Sequence, residues 1–348
     1  MRDLDGPGPD TTLEGRPVVS FAGNDYLGLV RHPAVVAAAH DALDRWGTGA
    51  GAARLLAGAR PVHRQLEEDL AAWKGTERAV LFPTGYAANL GVLTALGDAG
   101  ARIASDERNH ASIVDGCRLA RAEVVVFAHG DVAAAGRAVA GAGRPLVVTE
   151  SVFSMDGDLA PLDGLVDLCG RTGAVLVVDE AHAVLGPDLG PLPPGLALLR
   201  VGTLSKALAS LGGYVAGPAD LCDLVVNQAR SFVFTTASPP AAAAAALAAL
   251  RVCRSTEGAA RRARLRANVE RLAPGHPSPI VPVVVGGEEG ALAASAALLE
   301  RGLFVPAIRP PTVPPGTSRL RVSLSALHTD AHLDALASAL AELGVPAP

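Results

Sequence analysis

The sequence predicts an α/β protein with a mostly parallel sheet in a large domain and a smaller α/β unit at its C-terminal end. From about residue 79, short and continuous apolar runs alternate with segments of helical periodicity. Runs that are apolar throughout are typical of strands buried on both faces, as in a parallel sheet covered by helices. A second series of strands and helices follows Pro239 and Pro240, where we expect the smaller unit to begin.

The individual elements follow from the same patterns. Residues 1–30 are expected to form an irregular lead-in, followed by helices over residues 33–46 and 62–73. The strands expected in the large sheet are 79–82, 123–127, 146–149, 174–178 and 199–203. The elements expected after residue 240 are an Ala-rich helix, a basic helix over 261–271, strands over 280–285, 304–308 and 320–324, and helices over 291–301 and 331–343. The predicted parts of the chain are an N-terminal segment (1–35), a large domain (36–240) and a small C-terminal domain (241–348).

Composition and charge exclude several classes of protein. The formal net charge of -5 argues against general nucleic-acid binding. The longest unbroken apolar run, 241–250, is shorter than the roughly 20 residues that span a bilayer. The first residues are polar, unlike a signal peptide. Four scattered cysteines indicate neither a disulfide framework nor a zinc site, so we expect a cytoplasmic protein without a bound metal.

Lys206 is the most informative single residue. The chain contains 28 arginines but only two lysines, Lys74 and Lys206. Arginine stays charged and cannot act as an amine nucleophile, whereas a desolvated lysine can lose its proton and condense with a carbonyl. A surface lysine at a helix start is the alternative interpretation, but the scarcity of lysine favours a chemical role.

An acid upstream of this lysine indicates which chemistry it serves. Asp179 ends the apolar run 175–178, and open α/β sheets bind ligands at the carboxyl ends of their strands. A lysine for a Schiff base and a carboxylate for a ring nitrogen are what pyridoxal 5'-phosphate (PLP) requires. His182 lies three residues further on, within reach of the phenolic oxygen of that cofactor. A helix-capping aspartate is the alternative; a helicase is excluded because neither lysine lies in a phosphate loop.

Residues 83–89 are the candidate for binding the phosphate of the cofactor. Gly85 and Tyr86 follow a predicted strand and open a helical stretch, where free backbone N–H groups attract an anion. An ordinary strand-to-helix turn would look the same, so this assignment depends on Lys206. The glycine-rich stretch 47–52 mimics a dinucleotide fingerprint but follows a helix, which makes a dehydrogenase a weak alternative.

Three more polar residues are candidates for contacts with the cofactor. His110 offers a flat ring that can stack on a pyridine, although a loop histidine is more often structural. Thr203 lies three residues before Lys206, in a position to help bind phosphate. Ser154 can donate a hydrogen bond to a ligand, but its hydroxyl can equally stabilise its own turn.

Two arginines are candidates for binding a substrate carboxylate. Arg309 and Arg321 lie on either side of the proline-rich segment 310–315. Arginine is the natural bidentate partner of a carboxylate. Most arginines of this chain must lie on the surface, so either one alone would mean little.

Taken in order along the chain, these segments resemble the α-oxoamine synthases. These are PLP-dependent enzymes of the aspartate aminotransferase-like fold, which is PLP-dependent transferase fold type I. The resemblance runs from about Asn24 to the C-terminus. The segments closest to the branch that joins L-alanine to a pimeloyl thioester are 127–129 (Phe-Ala-His), 231–236 (Ser-Phe-Val-Phe-Thr-Thr) and 308–321.

By that resemblance, four residues act on the ring of the cofactor. Lys206 forms the Schiff base, Asp179 pairs with the ring nitrogen and His182 reaches the ring oxygen. His110 stacks on the ring. The other residues that match cofactor contacts are Gly85, Tyr86 and Thr203 in the phosphate region, and Ser154.

The resemblance also assigns substrate contacts. Arg321 matches the residue that takes the carboxylate of the amino acid, and Thr312 matches a contact reached from the C-terminal domain. We expect the N-terminal helix that carries an acyl-site arginine in this family to be clipped, which leaves Arg2 as a candidate match and Arg309 as the other candidate cation. The loop after His182 is compressed, so its conformation stays open.

The implied reaction is a condensation of L-alanine with a pimeloyl thioester, with loss of CO2 and of the thiol, in biotin synthesis. Either coenzyme A or acyl carrier protein is the acyl carrier, and a homodimer with shared active sites is expected. Glycine C-acetyltransferase and 5-aminolevulinate synthase are alternatives within the family that residues 308–311 disfavour. A PLP lyase such as a threonine aldolase, and a degenerate regulatory subunit, are the alternatives outside it.

Overall fold

The computed structural model describes residues 3–189 and 192–345. The chain opens with three strands, β1 (Leu4–Asp5), β2 (Asp10–Leu13) and β3 (Arg16–Ser20), which pair antiparallel. The prediction of an irregular lead-in over residues 1–30 was therefore wrong. These strands are short, and the polar residues Thr11 and Ser20 occupy buried positions in them, so they lack the apolar alternation by which a strand is recognised.

A large unit follows, in which helices alternate with strands. Its first elements are α1 (Pro33–Trp46), α2 (Pro61–Lys74), β4 (Arg78–Phe82), α3 (Gly85–Leu96), β5 (Ala101–Asp106), α4 (Ala111–Leu119), β6 (Glu123–Phe127) and α5 (Val132–Val139). The remaining ones are β7 (Arg144–Glu150), α6 (Leu162–Thr172), β8 (Val175–Asp179), β9 (Leu198–Thr203), β10 (Gly213–Gly217), α7 (Ala219–Gln228) and α8 (Arg230–Val233).

Seven of these strands form one sheet, in the order β4-β10-β9-β8-β7-β5-β6. Only β10 runs antiparallel to its neighbours, so the predicted mostly parallel sheet is confirmed. Strands β5 and β10 were not predicted from the sequence. In β5 small and polar residues dilute the apolar signal, and β10 is bounded by glycines that resemble a turn. Gly213 is required because a Cβ there would lie only 2.4 Å from the carbonyl oxygen of Thr84.

Strand β8 lies in the middle of this sheet and is held from both faces. Val177 packs in one apolar cluster, whereas Leu176 and Val178 pack in another on the opposite face, as the alternation of a strand requires. All three side chains are fully buried. Burial of one such side chain stabilises the fold by about 1.5–3 kcal/mol. The carboxyl end of β8, at Asp179, is therefore a well-fixed position.

The C-terminal unit contains α9 (Pro240–Arg254), α10 (Thr256–Leu272), β11 (Ile280–Gly286), α11 (Glu288–Glu300), β12 (Leu303–Phe304), β13 (Ala307–Ile308), β14 (Ser318–Ser323) and α12 (Asp330–Glu342). The single strand predicted over 304–308 is divided in two, because Pro306 lies between the halves and has no N–H to donate. Strand β12 pairs in parallel with β3, whereas β13 joins the sheet β11-β14-β13. The first strands of the chain thus lie against its C-terminal unit.

The basic stretch 261–271 lies on α10 and is paired with acids of α12. Arg264 contacts Asp330, and Arg271 contacts Asp334, each at 2.7 Å. These are exposed pairs of modest energy, about 0–1 kcal/mol each. The stretch is a solvated helical face, on the helix that its sequence predicted.

None of the helices in the described ranges has the length and apolar character to cross a membrane. All four cysteines are buried and free. Among residues 3–189 and 192–345, no cluster of three or more His, Cys, Asp or Glu side chains could hold a metal ion.

Candidate active site

Lys206 lies in the loop between β9 and β10, beside the carboxyl end of the central sheet. Leu204 and Leu208 on either side of it are almost completely buried and attach the loop to the core. The backbone N–H of Leu204 also donates to the carbonyl of Gly212, which closes the loop. The loop therefore holds the backbone of Lys206 in a fixed position next to the end of β8.

The side chain of Lys206 contacts His182, which in turn contacts Tyr26. Nζ of Lys206 lies 2.7 Å from Nε2 of His182, and Nδ1 of that ring lies 2.6 Å from the hydroxyl of Tyr26. Burial lowers the pKa of Lys206 to about 8, and Asp179 and Glu150 oppose this change only in part. Burial also lowers the pKa of His182 well below its usual value, with a further contribution from the positive charge of Lys206. The site thus favours a neutral imidazole beside an amine that can lose its proton near neutral pH.

Lys74, the only other lysine, has the opposite environment. Its Nζ lies 2.6 Å from Oε2 of Glu180, whose other oxygen contacts Arg200 at 2.9 Å. Burial alone would lower the pKa of Lys74, but Tyr214 and Glu180 raise it. Lys74 is therefore a structural cation, and Lys206 is the lysine that loses its proton more readily.

Asp179 is fixed by hydrogen bonds to both oxygens of its carboxyl group. Oδ2 accepts from Nδ2 of Asn89 at 2.7 Å, and Oδ1 accepts from the backbone N–H of Ala181 at 2.9 Å. The side-chain oxygen of Asn89 is buried and has no hydrogen-bond partner in the described chain. The site therefore contains an oriented carboxyl group and a buried acceptor that a ligand can use.

Glu150 is a second acid at this edge, at the end of β7. It is the register partner of Asp179 on the neighbouring strand and is 2% exposed. Burial raises the pKa of Glu150 well above its usual value, and the negative charge of Asp179 raises it further. Burial and the neighbouring charge of Asp179 therefore favour the protonated form of Glu150.

His110 caps the N-terminus of α4 and is linked to Asp179 through two polar side chains. Its Nδ1 accepts from the backbone N–H of Ser112 at 3.2 Å and lies 2.8 Å from the hydroxyl of that serine. The same hydroxyl accepts from Nδ2 of Asn89 at 2.9 Å. Partial burial lowers the pKa of His110, although Asp179 opposes the effect. The helix cap explains the fixed orientation of a ring that is otherwise exposed.

The candidate phosphate region lies where α3 begins. Gly85 is so close to the end of β9 that a Cβ on it would lie 3.3 Å from Cβ of Thr203. Oγ1 of Thr203 lies 2.7 Å from the hydroxyl of Ser205. The phenol of Tyr86 is 44% exposed and donates to Asp115 at 2.6 Å. Of the three predicted residues, Gly85 and Thr203 are adjacent, whereas the side chain of Tyr86 contacts α4.

Arg321 reaches the same site from β14 of the C-terminal unit. Its side chain is 7% exposed, and its Nε donates to the carbonyl of Ser154 at 2.7 Å. The positive charge of Arg321 contributes to the lowered pKa of both His182 and Lys206, after the larger effect of burial. The predicted residues Arg321 and Ser154 therefore lie together, with the serine contributing its carbonyl.

The remaining predicted substrate residues lie apart from this group. Arg309 is exposed and its Nη1 lies 3.8 Å from Glu288. Thr312 is exposed too, and its backbone N–H donates to the carbonyl of Arg309. Arg2 lies outside the described residues. In the described chain, neither Arg309 nor Thr312 contacts Lys206, His182 or Asp179.

Comparison with known proteins identifies the family. The model for aminotransferases of class I and II matches residues 16–340. The 8-amino-7-oxononanoate synthase of Anaeromyxobacter dehalogenans (strain 2CP-1 / ATCC BAA-258) is 54% identical, over 96% of this chain and 88% of that protein. The chain belongs to the 8-amino-7-oxononanoate synthase family.

Solved structures agree with that assignment and with its cofactor. A serine palmitoyltransferase with PLP has a TM-score of 0.92 and 31% identity, over 99% of this chain and 94% of that one. The 8-amino-7-oxononanoate synthase of Francisella tularensis has a TM-score of 0.77 and 25% identity, over 94% and 96% of the two chains. The predicted PLP-dependent transferase fold type I and the dependence on PLP are confirmed.

Sequence reasoning missed three residues of the site. They are Tyr26, Asn89 and Glu150, which contact or adjoin His182 and Asp179. Tyr26 carried a usable signal, because the chain has only three tyrosines and this one lies in the polar turn after β3. Asn89 follows Gly85 by one helical turn, so it had to lie on the same face of α3.

Proposed function

We propose that this chain catalyses the PLP-dependent decarboxylative condensation of L-alanine with a pimeloyl thioester. The products are 8-amino-7-oxononanoate, CO2 and the free thiol, a step of biotin biosynthesis. The observation that carries the proposal is the contact of Lys206 with His182, whose pKa is lowered by burial, beside Asp179 and Arg321, in a member of this family. No feature of the site favours a lyase over this reaction.

The donor set at the sheet edge fits PLP. An amine of lowered pKa, a fixed carboxyl group and a buried amide oxygen without a partner lie together at Lys206, Asp179 and Asn89. Gly85 keeps the first turn of α3 close to Thr203, where backbone N–H groups attract an anion. Lys206 would carry the cofactor, Asp179 its ring nitrogen, and Gly85 with Thr203 its phosphate.

Lys206 and His182 have separate roles in the proton transfer. When bound, PLP supplies an electron sink for the carbanion that forms at Cα of alanine. Lys206 acts as the general base that removes the Cα proton, because burial brings its pKa to about 8. His182 stays neutral and holds Nζ of Lys206 at 2.7 Å, which fixes where the proton is taken up.

Arg321 binds and orients the carboxylate of L-alanine. The bond from its Nε to Ser154 fixes the guanidinium, and arginine is the natural bidentate partner of a carboxylate. The carboxylate that this arginine binds is the one later lost as CO2, so the same contact selects an α-amino acid and sets the direction of decarboxylation. His110 would cover the ring of the cofactor from its capping position on α4.

Acyl selection is the prediction that tests this reaction most directly. L-Alanine with a pimeloyl thioester should release CO2 far faster than with acetyl, succinyl or palmitoyl thioesters. Pimeloyl ends in a carboxylate, which a site with a cation accepts and an apolar site rejects at a cost of several kcal/mol. The assay is CO2 release over L-alanine, glycine and L-serine with each thioester.

Two arginine variants separate the two substrate sites in the same assay. Arg321→Ala should raise KM for L-alanine at least about tenfold, because a charged hydrogen-bonded contact is lost. Arg309→Ala should leave KM for alanine unchanged and reduce the preference for pimeloyl over shorter thioesters. Equal or better turnover of glycine with acetyl thioester would overturn the biotin-pathway assignment.

We further propose that the chain forms a homodimer, with coenzyme A or acyl carrier protein as the pimeloyl carrier in the cytoplasm. The observation that supports the homodimer is an exposed apolar patch formed by Leu55, Leu56 and Phe234, which are 54%, 83% and 70% exposed. A bridge between Ala53 and Thr236 brings its two segments together. Apolar surface of this kind, rimmed by polar residues, is typical of a protein interface.

Light scattering checks the dimer. The wild-type chain should have twice the mass of its sequence, and Leu56→Asp should shift it toward the monomer, because a charge would be buried in the interface. Leu292→Asp is the matched control, since Leu292 is also exposed but lies on α11. A fully active monomer of the wild type would contradict the proposal.

A further inference from the structure

His129 lies in the segment 127–129, to which the proposed reaction gives no task. Its ring contacts a carboxyl group on each side: Nδ1 lies 3.0 Å from Oδ1 of Asp106, and Nε2 lies 2.6 Å from Oδ2 of Asp158. The ring also packs edge-on against Phe153, with centroids 4.4 Å apart. Only 16% of the side chain is exposed. His129 therefore links the end of β5 to the turn 153–158.

The partners of the ring determine its protonation. Both ring nitrogens face carboxyl oxygens, and Asp106 also accepts from the backbone N–H groups of Arg108 and Gly130. A histidine that donates from both nitrogens is an imidazolium. Burial alone would lower the pKa of His129, but the hydrogen bonds to Asp158 and Asp106 outweigh it and raise the pKa.

The turn 153–158 is a closed structure that packs on the C-terminal unit. The backbone N–H of Gly157 donates to the carbonyl of Phe153, and that of Phe153 donates to the carbonyl of Asp158. Gly157 has a φ of 68° and lies so close to β11 that a Cβ on it would lie 1.9 Å from the carbonyl oxygen of Ile280. The turn can therefore approach β11 only with glycine at this position.

The same turn holds the candidate carboxylate-binding arginine. The carbonyl of Ser154 accepts from Nε of Arg321 at 2.7 Å. Asp156 is paired with Arg319 on the same strand β14, and with Arg108 at 3.2 Å. A shift of the turn would therefore move the carbonyl that accepts from Nε of Arg321.

We propose that His129 is a positioning residue for the amino-acid substrate. By tying Asp158 to Asp106 it fixes the turn 153–158, and the fixed turn orients Arg321 for the carboxylate of L-alanine. The inference rests on the proposed function, since it takes Arg321 as the carboxylate site. His129 itself contacts neither the substrate nor the residues proposed to hold PLP.

The test compares His129→Gln with the wild type as purified PLP-bound proteins. Glutamine can bond to one aspartate but carries no charge, so the turn should loosen. The Kd of L-alanine, from spectral titration, should rise roughly tenfold, while PLP content and KM for the pimeloyl thioester stay unchanged. Hydrogen exchange should become faster at the amides of Phe153 and Gly157. His40→Gln, at an exposed position of α1, is the matched control and should change none of these.

The pH dependence separates positioning from a general structural effect. The charged groups around the ring are Asp106, Glu107, Asp158 and the Arg108–Asp156 pair. The pKa of His129 is raised above 6.5. The charged contacts of its ring with Asp106 and Asp158 are therefore fully present below pH 6.5 and are lost as pH rises through the raised value. The tenfold ratio of alanine Kd between variant and wild type should therefore be largest at low pH and approach one at high pH.

Equal alanine Kd values, a ratio that does not change with pH, or unchanged exchange at Phe153 and Gly157 would each overturn the inference. Failure of the proposed function has a different signature. In that case the wild type itself would bind PLP but release no CO2 from L-alanine and pimeloyl-CoA.

Discussion

Replacing Lys206 by arginine is expected to abolish covalent attachment of PLP and to reduce CO2 release on the order of 10^3-fold or more. Arginine keeps the positive charge but cannot lose its proton, so it serves neither as nucleophile nor as base. Wild-type protein should be yellow, and borohydride should fix the cofactor to the peptide that contains Lys206. The measurement is the absorption spectrum together with peptide mass analysis.

The second lysine provides the internal control. Lys74 is buried against Glu180 and its pKa is raised, so the peptide that contains it should carry no cofactor after reduction. The rate of PLP attachment should rise with pH through about 8, because the neutral amine of Lys206 is the reactive form and burial lowers its pKa to that value. A wild-type spectrum in Lys206→Arg would refute the role of this lysine.

Substituting Asp179 by asparagine should lower kcat at least about 100-fold while PLP still binds. A neutral amide cannot keep a proton on the ring nitrogen, and removal of one preorganised charge of this kind typically costs 10²–10³ in rate. The hydrogen bond from Asn89 would face an amide in place of a carboxyl oxygen. The measurement is kcat for CO2 release beside PLP content.

Glu180→Gln is the matched control for this variant. Glu180 follows Asp179 directly and is almost as buried, but its carboxyl group contacts Lys74 and Arg200. Its substitution should reduce the free energy of unfolding by about 3–5 kcal/mol, the typical cost of breaking a buried ion pair, while kcat changes only a few-fold. If kcat fell equally in both variants, the loss would come from removing any negative charge near the end of β8. The proposed contact of Asp179 with the cofactor would then be contradicted.

Much of the large domain could be predicted from the sequence because its strands are apolar on both faces. In the run 175–178 all residues after Val175 are buried, and a continuous apolar run of this kind is typical of a strand covered by helices on both faces. Strands β1 to β3 could not be predicted in the same way. Strand β3 also pairs with β12, from a distant part of the chain, and a local pattern contains no information on that partner.

The candidate site could be predicted where one residue type is chemically necessary. A lysine and an acid are required for PLP, so Lys206 and Asp179 were identifiable from residue type and order alone. Asn89 and Glu150 were not, because their roles come from a helix turn and a strand register. The assignment of Arg309 stays a prediction, since its exposed ion pair with Glu288 is equally compatible with a surface residue.

The pairing of β3 with β12 sets the order in which the site can form during synthesis. Val19 pairs with Leu303, so the first sheet is complete only after most of the chain has left the ribosome. At about 5–20 residues per second, on the order of ten seconds separate the synthesis of Lys206 from that of Arg321. During this interval the nascent chain has its reactive amine but lacks the arginine and the strand that close the site. Selective substrate binding is therefore possible only after the C-terminal unit has been synthesised.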